Sequence, residues 1–330
     1  MPIEFATMAF ATPGTAVPAA VAAERAGFDI VHVTDSQCLR GDVYTQLMLC
    51  GQATSRIKLA TGVTNPLTRH PSVTAASIVS IQAECGNRAI LGIGRGDSAV
   101  LHIGRTPARM REYGEYVRRL QAYLRGETVD QAGFPSRLRW LDRIDAEKVP
   151  VDMVGSGPKS LALAAELADR VTMAVGVDPG RIEWGLEQVR AAARAAGRDP
   201  GAIPVGAYVN VSVDDDEAAA VRTARGFTAT FAHFSASVGA DFDNQPEILR
   251  NVTEKLVTDY DTNHHSQADA PHTELLDAEF IDWFGAVGST TKVIRRLAPL
   301  VELGLDHLYF VGPRTGLAEE VMPALRGMRS

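Results

Sequence analysis

Residues 57–96 read IKLATGVTNPLTRHPSVTAASIVSIQAECGNRAILGIGRG. Ile57 to Thr64 is a short apolar, β-rich run that stops at the turn formers Asn65 and Pro66, the pattern of a strand. Ser72 to Glu84 is a helical run entered through Pro71, at the first helical position that proline favours. Ala89 to Gly96 is a second β-rich run. A strand, a crossover helix and another strand in such short compass predict a parallel β/α unit.

The alternation continues in both directions. Upstream lie a strand from Glu4 to Phe10, a helix from Ala16 to Ala26 ended by Gly27, a strand from Asp29 to Asp35 and a helix from Val43 to Thr54. Downstream, a helix from about Pro107 to Leu124 and a polar stretch to Lys148 lead to a strand from Val151 to Gly155, whose helix begins at Pro158. Arg170 to Gly176 is a sixth strand, Pro179 to Ala196 its helix, and Pro204 to Val213 a seventh strand before the acidic helix start Asp214 to Glu217, which suits the helix dipole. Thr290 to Leu303 is amphipathic and capped by Gly304; His307 to Val311 is the eighth strand, with a last helix to about Leu325. Eight strand-then-helix units without a solenoid repeat predict an α/β fold, a closed (β/α)8 TIM barrel forming one domain over residues 1–330. Between Gly226 and Gly288 the pattern loosens, and residues 226–286 are expected to be a helical insertion before the last strand, shaping a pocket or a subunit contact.

Composition narrows the function. The 330 residues carry 33 basic and 40 acidic side chains, a net charge of -7 without a long run of one sign, so neither nucleic acid nor an anionic membrane surface is an expected partner. The start of the chain lacks a basic segment followed by an apolar one, and no stretch approaches the roughly 20 apolar residues of a membrane span, so a cytoplasmic protein is expected. Cys38, Cys50 and Cys85 are odd in number and unevenly spaced, which fits free thiols better than disulfides. His264, His265 and His272 lack the spacing of a metal-binding helix, and no metal is expected.

In a barrel of this kind the chemistry sits where strands end and loops begin. Those ends are polar or glycine-rich: Thr34, Asp35, Ser36 and Gln37; Gly62, Val63, Thr64 and Asn65; Gly94, Gly96, Asp97 and Ser98; Gly155, Ser156, Gly157 and Pro158; and Gly176. The turn at Gly155–Pro158 is either a phosphate cradle, with small residues exposing N–H groups at a helix start, or an ordinary strand-to-helix turn. Gly92, Gly94 and Gly96 miss the dinucleotide-binding spacing and instead suggest a ring lying against backbone. Asp35 and Asp97 are the carboxylates best placed for proton transfer, and capping is the structural alternative for each. His70, before Pro71, faces either solvent or substrate.

Three segments together resemble the luciferase-like oxidoreductases: Gly62-Val-Thr-Asn-Pro66 with Thr68-Arg-His-Pro71, Arg88 to Ala99, and Gly155-Ser-Gly-Pro158. The closest likeness is to the branch of methylenetetrahydromethanopterin reductase, which uses the deazaflavin coenzyme F420. The resemblance covers most of the chain and is weakest from Gly226 to Phe284. It implies a β/α barrel with a non-proline cis peptide under the cofactor ring, matching Gly62–Val63. It also implies a phosphate-binding turn at Gly155–Pro158 and acidic positions near the ring at Asp35 and Asp97. Cofactor contacts are thereby expected from Gly62, Val63, Thr64, Asn65, Gly96, Asp97, Ser98, Gly155, Ser156, Gly157, Pro158 and Gly176. Alcohol dehydrogenases of the family carry histidine directly after the first aspartate, where this chain has Ser36, so reduction of a polarised C=C or C=N bond is favoured over alcohol oxidation. The implied enzyme is an F420-dependent oxidoreductase moving a hydride between deazaflavin C5 and a small organic substrate. The alternative on the same fold is an FMN-dependent monooxygenase using reduced flavin and oxygen. Family likeness further suggests a homodimer, and a separate flavin or F420 reductase as supplier of reduced cofactor.

Overall fold

A computed structural model describes residues 2–236 and 245–329. The main sheet is parallel, and its strands run in the order β10 (Ala286–Gly288), β9 (Val205–Val213), β11 (His307–Val311), β1 (Glu4–Ala9), β2 (Ile30–Val33), β3 (Lys58–Thr61), β4 (Ala89–Ile93), β7 (Val151–Gly155) and β8 (Arg170–Met173), with β8 also pairing β9. Eight strands, each followed by a helical crossover, thus form the β/α barrel topology, and β10 adds a short ninth strand. Packing divides the chain into two units: one holds Met1–Thr7, Gly155–Ala165 and Val171–Ser330, the other Met8–Val154 and Glu166–Arg170.

In the second of these units, Ile30 aligns with Lys58 and Val33 with Thr61, Leu59 aligns with Ala89, and Leu91 with Val151. All residues of β2 and β4 are buried, the pattern of parallel strands covered on both faces. The covering helices include α1 (Ala16–Arg25), α2 (Val43–Ala53), α3 (Pro71–Glu84) and α5 (Met110–Leu124). Gly27 follows α1 at φ 81°, a left-handed conformation that glycine adopts without Cβ strain. Arg88 ties the incoming end of β4 to its neighbours, donating to the carbonyls of Cys85, Ile57, Gly51 and Thr54 at 2.8–3.0 Å.

In the other unit, β9 lies between β8 and β11. Val171 aligns with Val205, Gly206 with His307, and Asn210 with Val311; β1 extends the ladder, with Phe5 opposite Leu308. Arg326 of α12 (Met322–Gly327) makes a cation–π contact with the Phe5 ring, its guanidinium carbon 5.1 Å from the centroid. Phe5 also stacks on Phe310. That side of the ladder is therefore the helix-covered one, and strand alternation puts His307, Tyr309, Gly206, Tyr208 and Asn210 on the opposite face.

The structure adds elements that periodicity did not reveal. A four-residue helix α4 (Ser98–Leu101) forms directly after β4, so the helix expected from Pro107 starts at Met110. The polar stretch before Lys148 contains an antiparallel hairpin, β5 (Val129–Gln131) with β6 (Phe134–Ser136), whose turn places Ala132 and Gly133 at positive φ. Within the expected insertion, α8 (Glu217–Ser235), α9 (Glu247–Asp259) and α10 (Ala278–Phe284) are helical, while β10 is a strand too short to show alternation; residues 237–244 of it lie outside the described residues. The acidic run has a definite job, since Asp216 caps α8 by accepting from the N–H groups of Ala218 and Ala219. Among the described residues no helix is long and apolar enough to cross a membrane.

Candidate active site

Asp35 follows the outgoing end of β2 and is 3% exposed. A carboxylate so enclosed needs compensation, and it has four donors. Arg69 binds it with both terminal nitrogens, at 2.6 and 3.2 Å, the Thr64 hydroxyl donates at 2.7 Å, and the Gln37 amide donates to the remaining lone pair. Arg69 reaches on to Asp42 at 3.2 Å and lies 4.9 Å over the Tyr44 ring. Such a fork-on-carboxylate pair fixes the geometry of both side chains. Asp35 thus anchors Arg69 and Thr64, and its side chain caps no helix.

Asp97 contrasts with it. It directly precedes α4, yet its side chain makes no capping bond to that helix. Burial pushes its carboxyl up to about 6, against the lowering pull of the Ser98 backbone N–H. A carboxyl in that range exchanges a proton near neutral pH. Ser98 meets Ser36 hydroxyl to hydroxyl at 2.8 Å, joining the ends of β2 and β4. Asn65 uses its side-chain oxygen to accept from Leu67 and Thr68, while its Nδ2 is enclosed and makes no hydrogen bond among the described residues.

Between these groups the Gly62–Val63 peptide is cis. Thr64 then rejoins the sheet, donating its N–H to Gly92 at 2.9 Å and accepting from Gly94 at 3.0 Å. The glycines make room for this segment of the chain itself: a Cβ on Gly92 would stand 2.1 Å from the Thr61 carbonyl, and one on Gly94 3.1 Å from a Val63 methyl. Gly96 sits at φ 92°, where a side chain is strained whatever the space. His70 caps α3, accepting from the Ser72 N–H through Nδ1 at 3.3 Å and hydrogen-bonding the Ser72 hydroxyl at 2.8 Å.

The turn at Gly155–Pro158 belongs to the other unit and opens α6 (Pro158–Leu167). The Ser156 hydroxyl donates to the Phe234 carbonyl at 3.2 Å, and the Ser160 hydroxyl receives the Gly157 N–H at 3.2 Å. A Cβ on Gly157 would meet nothing within 4 Å, so there is open room at the helix start. Gly176, by contrast, has an internal reason to be glycine: at φ 81° it packs on Phe284, with a hypothetical Cβ 3.0 Å from that residue's ring and carbonyl. Of the histidines at 264, 265 and 272, His265 hydrogen-bonds the Tyr260 hydroxyl at 2.9 Å and His272 lies against the Tyr260 ring, on which His233 also stacks at 4.0 Å. His264 instead pairs with Asp261. Among the described residues no group of three or more His, Cys, Asp or Glu could hold a metal ion.

Residues 4–307 match the family model described as luciferase-like monooxygenase. The chain belongs to that family. Among curated relatives of this luciferase-like protein, the 5,10-methylenetetrahydromethanopterin reductase of Archaeoglobus fulgidus is 30% identical over 92% of this chain and 93% of its own length. The enzyme of the same name from Methanolobus tindarius is 38% identical over 62% of this chain and 63% of its own length. Of solved structures, an F420-dependent secondary alcohol dehydrogenase in complex with an F420-acetone adduct superposes with a TM-score of 0.77 at 20% identity, covering 98% and 99% of the two chains, which shows a shared fold.

Sequence reasoning missed Arg69 as the partner of this luciferase-like chain's Asp35. The two are far apart in sequence, and only the return of the loop after β3 joins them. It also missed Asn210, hidden in the apolar run of β9.

Proposed function

We propose that this chain is an F420-dependent oxidoreductase that exchanges a hydride between the deazaflavin C5 and a small organic substrate, working as a reductase of a polarised C=C or C=N bond. The observation that carries the proposal is the contrast between its two carboxyls: Asp35 is gripped by Arg69 and Thr64, whereas Asp97 does not cap α4 and desolvation pushes its carboxyl up to about 6. Reduction of a C=N or C=C bond needs one proton for each hydride delivered, and Asp97 is suited to hold that proton and release it to the substrate atom that becomes negative. Ser36, standing where alcohol-oxidising relatives carry a histidine, is engaged with Ser98, in keeping with reduction. The names of the reductase relatives support the same direction.

Bound deazaflavin supplies the hydride. The fit of this chain to such a group rests on the room at Gly157, at a helix start whose dipole favours an anion, and on the enclosed, unpaired Asn65 Nδ2. Gly155–Pro158 would take the phosphate and Gly62–Asn65 with Gly96–Ser98 the ring. Gly176 is the weakest of the assigned contacts, because Phe284 already accounts for it. Asp35 keeps Arg69 and Thr64 in place, and Asp97 handles the proton.

Titrating the purified protein with F420 and, separately, with FMN tests this reading. Saturable quenching of F420 fluorescence, with FMN at least about tenfold weaker, is expected. Tight FMN binding with oxygen consumption by the reduced complex would favour the monooxygenase instead.

A further inference from the structure

Asn210 is 1% exposed, and among the described residues both ends of its amide, Nδ2 and Oδ1, lack a hydrogen-bond partner. Buried side-chain amides are nearly always satisfied, so one with neither end paired calls for a cause. Leucine has the same number of side-chain heavy atoms with the same branching and would avoid the cost of desolvating both groups. Asn210 lies toward the outgoing end of β9, opposite Val311, on the face away from α12. Two residues earlier on that face is Tyr208, edge-on to Tyr309 at 5.3 Å and against Phe231 of α8 at 5.1 Å. An aromatic wall followed along the strand by an unspent donor and acceptor is the arrangement that receives a flat heterocycle.

A carboxamide offers its donor and acceptor side by side, and the matching partner is another planar amide edge, an N–H next to a C=O, which completes two parallel hydrogen bonds. We propose that Asn210 is a specificity-determining residue that reads such an edge on the bound redox ring or on a lactam-bearing heterocyclic substrate. This rests on the oxidoreductase reading above for the identity of the two ligands, though not for the presence of the site.

The test compares full-length wild type with Asn210→Leu and Asn210→Asp in three measurements: thermal unfolding without ligand, F420 affinity by fluorescence, and the affinity of the F420-loaded protein for methylenetetrahydromethanopterin as the lactam-bearing probe. Asn210→Leu should unfold no lower than wild type, because it removes unpaired polar groups from the interior. It should weaken one ligand by about tenfold, the loss expected for two neutral hydrogen bonds. Weaker F420 binding assigns the edge to the ring; unchanged F420 binding with a weakened pterin assigns it to the substrate. Asn210→Asp, which loses the donor, should weaken the same ligand. Failure of wild type to bind F420 would contradict the cofactor reading, leaving the pterin titration of the free protein to decide on Asn210. The inference is overturned if Asn210→Leu binds both ligands as wild type does, if wild type binds neither, or if the ligand-free variant is markedly destabilised, which would mean that the amide serves the fold alone.

Discussion

The two ends of the strands β2, β3, β4 and β7 use charge in opposite ways. At the incoming ends, charged side chains hold backbone, Asp169 doing so while also pairing with Lys148. Glu24 accepts from the N–H groups of Ser55, Arg56 and Ile57 at 2.6–3.0 Å, Arg88 donates to four carbonyls, and Asp169 accepts from the Val151 N–H at 2.8 Å. At the outgoing ends, charged and polar side chains meet each other: Asp35 with Arg69 and Thr64, Ser36 with Ser98, and Asp97 with a carboxyl near 6. Bonds to backbone fix the fold whatever is bound, whereas side chains gathered around one another can exchange protons and ligands. Incoming ends thus stabilise, and the outgoing ends are where the proposed chemistry would sit.

Breaking the outgoing side should show first in rate. Asp97→Asn is expected to lower turnover by about 100-fold or more with little change in cofactor affinity, and steady-state kinetics beside a binding titration would show whether the two separate. For wild type, the rate of reduction should decline as pH rises through about 6, where Asp97 loses its proton; the asparagine variant should lack that inflection. The sign for stability is opposite to that of a salt-bridged aspartate. Because the folded carboxyl holds its proton more tightly than the unfolded one, whose value is near 3.8, wild type loses stability as pH rises from about 4 to about 6. Asp97→Asn should therefore melt higher than wild type at pH 8, and the gap should close near pH 4.

Breaking the incoming side should show in stability. Arg88→Ala strips donors from four carbonyls and is expected to cost about 2–3 kcal/mol in denaturant unfolding while leaving F420 affinity unchanged. A smaller effect, confined to binding, is expected of Gly157→Glu: its side chain enters open space, so the melting temperature should hold while a new negative charge weakens F420 binding at least about tenfold. Smallest of all is the response of His233. Burial, and secondarily the charge of His272, pull it down to about 4, so the folded state keeps it neutral where an unfolded imidazole would take a proton. Stability should fall slightly as pH drops from about 6.5 to about 4, and His233→Gln should blunt that slope.

The contrast between the two ends was partly visible in the amino-acid sequence. Polar and glycine-rich segments mark the outgoing ends because the turns leaving a strand are built from turn formers, and proline and glycine bounded β7, α6 and β11 closely. What stayed hidden depends on partners distant in sequence. Nothing local says that Arg69 will grip Asp35, that Gly92 and Gly94 yield space to Val63 rather than to a ring, or that Gly176 is pressed on Phe284. The α4 helix and the β5–β6 hairpin escaped because three or four residues hold too little of any period. Asn210 escaped because one polar residue in an apolar strand reads as noise until its lack of partners is known.

Hydrogen exchange of the intact protein with and without saturating F420 addresses both ends at once. Amides at 62–66, 96–98 and 155–158 should exchange more slowly in the complex, while those at 55–57 and 85–88 keep their rates. Protection of the incoming segments alone, or none at the outgoing ones despite bound F420, would contradict the division of labour between the two ends.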